Sequence, residues 1–244
     1  MTWKKAETQS NNIMQKNNLL EYITESLKHT GIYYFSNDIP VWTEDPLPDS
    51  INLDKVFASV KRLIPSDYLK YLHAVRIGMF DEMYDRELNA LYKDGVLYVS
   101  NMQDNDEDMV DDIIHEIAHA VEQHNHDFIY EDETVLLEFL GKRKRLHDLL
   151  KSEGYDVKIE QFLAVKYDYD FDMFLFQDIG YPILEPLTLG LFLSPYSVTS
   201  LNEYFAVGFE TNYMKETNYI KKICPKLAEK INYLDEIAHE YTTY

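Results

Sequence analysis

The stretch from Asp108 to about residue 124 constrains this chain more than any other. Val110, Ile113, Ile114, Ile117 and Val121 recur at spacings of three and four, which gathers them along one side of a helix. Ala118 borders that stripe, and the opposite side carries Asp111, Asp112, His115, Glu116, His119 and Glu122. A helix divided in this way lays its stripe on a core and turns its ionisable side elsewhere. The acidic run Asp104 to Asp112 fits the helix start, where carboxylates complement the macrodipole and cap free N–H groups.

The remaining chain predicts strands first and helices afterwards, hence an α+β fold. Residues 12–29 have Leu19, Leu20, Ile23 and Leu27 at helical spacing, and the segment with Pro40, Pro46 and Pro48 reads as irregular. Leu53, Val56, Phe57, Val60 and Leu63 mark a second amphipathic helix, stopped by Pro65. Strand alternation follows over His73 to Phe80. Leu88, Ala90 and Tyr92 alternate again, then Lys93, Asp94 and Gly95 turn the chain into a return strand, Val96 to Val99. Helices are expected over 108–124, 133–152, 200–222 and 225–240, while Val165 to Phe176 fits strand or helix. No linker or repeat divides the chain, so the expectation is a helical extension over 1–70 and one domain over 71–244.

The formal net charge is −20. Phosphate recognition needs a basic footprint, so nucleic acid is excluded as a partner. A basic protein or peptide fits the charge, and so does a surface that serves only solubility. The 20 tyrosines suit a half-wet cleft as well as a core. Cys224 is the only cysteine, which leaves neither an internal disulfide nor a cysteine metal cluster. No apolar run follows the first lysines, and no stretch approaches bilayer length. The expected location is therefore cytoplasmic.

Residues His115, Glu116, Ile117, Ala118 and His119 form an HExxH motif. Two histidines four apart on a helix present both imidazoles to one side, where they can share a Zn²⁺. The intervening Glu116 is placed to accept the proton of an attacking water. Asp111 and Asp112, one turn earlier, are candidates to support the ligands from behind.

A catalytic zinc needs a third protein ligand. The long HExxHxxGxxH form is broken, because position 122 is Glu and position 125 is Asn; His124 and His126 lie off that spacing. Glu138, 19 residues after His119, resembles the downstream Glu of zinc aminopeptidases, but Lys142 stands one turn on as an ion-pair partner. Glu203 has Ala206 and Val207 as its i+3 and i+4 neighbours, and a carboxylate in apolar company needs a strong partner. A capping box, with Ser200 as N-cap, would also account for Glu203.

Downstream, Tyr196 stands seven residues before Glu203, which is followed by Tyr204, Phe205, Ala206 and, after Val207 and Gly208, by Phe209. Together with the HExxH helix, this segment resembles the anthrax lethal factor family of zinc peptidases. The resemblance implies a zincin-like domain with zinc on His115, His119 and Glu203, Glu116 as general base and Tyr196 as the hydroxyl that steadies the oxyanion. Val207 occupies a position where that family tends to have Glu. The chain is also similar to uncharacterised bacteriophage proteins of this layout, which implies a virion-associated or phage-encoded setting. The expected function is hydrolysis of peptide bonds in a protein or peptide. Two alternatives stand beside it: a catalytically silent structural or virion protein that keeps the fold, and a regulatory binder of basic proteins with zinc only for stability. Asp168, Asp170 and Asp172 begin like a calcium loop, but Met173 and Ile179 occupy the positions where that loop needs Gly and Glu. Strand Val96 to Val99 is a candidate to pair with an extended peptide.

Overall fold

The protein is seen here in a computed structural model that describes residues 33–36, 39–85, 88–215 and 217–241, and Pro40, in the segment expected to be irregular, lies within a strand. The expected helix over 12–29 lies outside the described residues. Strands β1 (Tyr33–Ser36) and β2 (Ile39–Thr43) pair antiparallel. The parallel ladder of β2 with β3 (Ala74–Ile77) starts at Val41, one residue after Pro40, so it makes no demand on the N–H that proline lacks. Between them runs α1 (Leu53–Leu63), capped by Asn52, whose side chain accepts from the Lys55 N–H, and closed ahead of Pro65. Leu53, Val56, Phe57 and Val60 of its expected apolar stripe are buried, and Leu63 is half-buried.

A short helix, α2 (Asp81–Asp85), precedes the hairpin β4 (Ala90–Lys93) and β5 (Val96–Val99). Asp94 and Gly95 turn it with φ of 51° and 83°, the left-handed pair that matches the twist of the flanking strands. The mixed sheet has the order β1-β2-β3-β5-β4. Val41, Val75, Ile77, Leu97 and Val99 are fully buried on it.

This order corrects two expectations. Strand β5 is internal, paired parallel with β3 and antiparallel with β4, so among the described residues the edge strands are β1 and β4 and not Val96 to Val99. Residues 33–70 are also no separate helical extension, because β1 and β2 extend the sheet and α1 packs against the HExxH helix within one core.

Helix α3 (Asp106–His124) carries the HExxH motif, and Asn105 caps it by accepting from the Asp108 N–H. It is buried on more than its stripe: Ala120 is fully covered and Glu122 is 3% exposed, because helices close over both flanks. After it come α4 (His126–Tyr130), α5 (Thr134–Ser152), α6 (Ile159–Leu163) and α7 (Tyr169–Met173). Then follow a π-turn over 174–179, α8 (Tyr181–Thr188), α9 (Leu201–Met214), α10 (Thr217–Ile223) and α11 (Pro225–Tyr241). The ambiguous stretch Val165 to Phe176 is thus helical from Tyr169 onward. The single helix expected over 200–222 breaks after Met214. Gly208 lets α9 approach α11 closely, since a Cβ there would clash with the Leu227 side chain. Among the described residues, no helix is long and apolar enough to cross a membrane.

The fully buried Arg143 on α5 ties the next segment down. Its guanidinium donates to the carbonyls of Gln161, at 2.8 Å, and Ala164, and lies against the rings of Phe139, Phe162 and Phe171. Burial lowers its pKa to about 10.

Candidate metal centre

Helix α9 crosses over the polar side of α3 and brings Glu203 between the two histidines. Glu203 Oε2 is 3.0 Å from His115 Nε2, and its other oxygen is 3.6 Å from His119 Nε2. One ligand atom from each of His115, His119 and Glu203 lies within 4.8 Å of the others, all on half-buried side chains. Residues 88 apart in sequence therefore share one point in space.

Ser200 does cap α9, its Oγ accepting from the Glu203 N–H at 3.1 Å. The Glu203 carboxylate points to the histidines, so the capping alternative accounts for the residue's backbone and not for its side chain. Glu138 lies elsewhere. It accepts from the N–H groups of Lys226 at 2.9 Å and Leu227 at 3.3 Å, and from the Tyr204 hydroxyl at 2.8 Å. It caps the start of α11. Lys142 is not its partner, because that ammonium donates to the carbonyls of Leu191 and Ile223.

Each histidine has a carboxylate behind it. His115 Nδ1 is 3.5 Å from Glu210 Oε2, and His119 Nδ1 is 3.9 Å from Glu122 Oε2. Burial alone would push the His115 imidazole down, yet its bonds to Glu203 and Glu210 carry it up to about 9. His119 is likewise raised against its burial by Glu122 and Glu203. Burial would raise Glu203, but the two histidines hold it well below the usual carboxylate range. The cluster is thus built to hold positive charge, which two protons or one cation can supply.

Glu116 Oε2 accepts from the Tyr92 N–H of edge strand β4 at 2.6 Å, and its charge also acts on His119 and Tyr196. Tyr196 lies with its ring 6.2 Å from that of His115. Burial, followed by the charges of Glu203 and Asp172, raises its phenol and keeps it a proton donor. Of the other candidates, Asp112 accepts from Gln103 at 3.0 Å, and Asp111 is raised by burial and by the neighbouring Glu210. Asp168 caps α7, and Asp172 accepts from Tyr167. His124 is exposed and stacks on Tyr71.

Three features of the centre escape the sequence reading. Glu210 follows Glu203 by seven residues, two helical turns, and that spacing could have marked it as a second carboxylate on the same face. It supplies an acid near His115 although Val207 cannot. Glu122 stands three residues after His119, a spacing that places it beside the ring. The Tyr92 N–H has no sequence signal. In comparisons with known proteins, no family model, no curated protein and no solved structure matches the chain.

Proposed function

We propose that the protein is a zinc-dependent peptidase with a zincin-like fold, of the kind its lethal-factor resemblance implies. The observation that carries this reading is the convergence of His115, His119 and Glu203 within 4.8 Å, with Glu116 on the HExxH helix bonded to edge strand β4. Two imidazole nitrogens and one carboxylate oxygen are a donor set suited to Zn²⁺ that leaves a position open. Bound there, Zn²⁺ would supply Lewis acidity.

The chain's own residues would do the rest. Glu116 accepts a proton from the attacking water and returns it to the leaving amine. Tyr196, held in its protonated form, donates to the oxygen on which charge develops, a contribution of about 3 kcal/mol for one fixed donor. An extended peptide lies along β4, the edge strand beside Glu116, and pairs through its backbone. The substrate is a protein or peptide, and the net charge of −20 favours a basic one.

The decisive experiment is incubation with a peptide library, with and without chelator, alongside elemental analysis. About one zinc per chain and chelator-sensitive cleavage are expected. Glu116→Gln should keep the zinc and lose cleavage, since an amide cannot take the proton. Zinc without cleavage in the wild type would instead favour a silent structural or binding protein, and His115→Ala with full zinc would remove the site altogether.

A further inference from the structure

Glu122 is a nearly fully buried carboxylate that reaches three parts of the fold at once. Its Oε1 accepts from the Tyr130 hydroxyl on α4 at 2.7 Å, and its Oε2 accepts from Asn202 Nδ2 on α9 at 2.8 Å. The same Oε2 lies 3.9 Å from His119 Nδ1, on the ring edge opposite Glu203. Asn202 immediately precedes Glu203 in the first turn of α9. A buried carboxylate is costly unless its oxygens are satisfied, and here the donors come from two other helices. The arrangement therefore joins a candidate ligand on α3 to the backbone that presents a candidate ligand on α9.

We infer that Glu122 is a positioning residue for the metal centre, acting together with Asn202. Through Asn202 it sets the first turn of α9, and with it Glu203, against α3. Through the Nδ1 side of His119 it fixes which ring nitrogen faces Glu203 and how the ring is turned. Hydrogen-bond partners behind a metal-binding histidine orient the ring and raise its basicity, and their loss weakens metal binding about 10- to 100-fold. The inference rests on the metal-site reading proposed above, since it concerns the same cluster.

Glu122→Gln is the sharpest test. The Gln oxygen can still accept from Tyr130, and its amide N–H can donate to Asn202 once that side chain flips, so the helix contacts survive. What disappears is the negative charge that faces His119 Nδ1 at 3.9 Å. Asn202→Ala does the reverse, freeing α9 while leaving Glu122 beside His119. Zinc affinity, measured on the full chain by competition with a chromophoric chelator, should fall about 10- to 100-fold in Glu122→Gln. It should fall by about 10-fold in Asn202→Ala, with the double variant less than additive. The visible spectrum of the Co²⁺-loaded protein should change in both, a signature that loss of fold stability alone does not produce.

The inference is overturned if both variants bind zinc like the wild type and give its Co²⁺ spectrum. If Glu122→Gln fails to fold, Asn202→Ala with unchanged affinity and spectrum overturns it alone. The underlying metal site fails separately, and takes the inference with it, if the wild type binds no zinc or if His115→Ala binds as tightly as the wild type.

Discussion

The N–H of Tyr92 donates to Glu116 Oε2 at 2.6 Å, so the edge of the sheet and the middle of the HExxH helix meet on one carboxylate. Residue 92 pairs with Leu97 across the hairpin, yet its N–H points away from that partner and toward α3. A proline there would remove the N–H without breaking a ladder bond, which an edge strand tolerates. Tyr92→Pro is expected to lower kcat about 10-fold, the loss of one charge-assisted hydrogen bond, with zinc content unchanged. Tyr92→Ala, which keeps the N–H, should retain most of kcat. Steady-state kinetics on both variants, beside zinc analysis, checks this, and equal kcat in the two would refute the role.

Glu203 and Glu138 separate metal binding from stability. Glu203→Ala is expected to weaken zinc binding by at least about 100-fold while α9 stays capped, because Ser200 Oγ still accepts the N–H of residue 203. Glu138→Ala removes the acceptor of two α11 N–H groups and of the buried Tyr204 hydroxyl. It should cost about 2 kcal/mol of folding stability and leave zinc affinity unchanged. Chelator competition and urea unfolding on the two variants distinguish these outcomes.

Arg143 offers a test of packing outside the candidate metal centre. Its removal leaves a cavity among Phe139, Phe162 and Phe171 and deprives the carbonyls of Gln161 and Ala164 of their donor. Arg143→Ala is expected to destabilise the fold by about 3 kcal/mol. Arg143→Lys should restore only part of that, since an ammonium lacks the planar fork that serves two carbonyls at once. Chemical denaturation midpoints measure both effects, and a midpoint for Arg143→Ala equal to the wild type would contradict the assignment.

Much of the centre is legible in the sequence because its information is local. The spacing of His115 and His119 places them one turn apart on any α-helix, and the Val110 to Val121 stripe decides which side faces inward. Asp94–Gly95 dictates a two-residue hairpin by backbone sterics alone. The apolar neighbours of Glu203 reveal a carboxylate in need of a partner without naming that partner.

Tertiary structure alone decided the rest. Pairing of β2 with β3 and of β3 with β5 is parallel and non-local, so no turn residue announces it, and with it goes the place of β4 at an edge of the described sheet. The i,i+4 spacing of Glu138 and Lys142 is genuine, yet both side chains find better partners in α11 and in the carbonyls of Leu191 and Ile223. Glu122 looks like a solvated residue on a polar helix face until α4 and α9 close over it. Helix periodicity fixes the direction in which a side chain leaves its own axis. What waits there for His115 and for Glu122 includes a chain segment 80 or more residues away, brought in by the packing of the whole core.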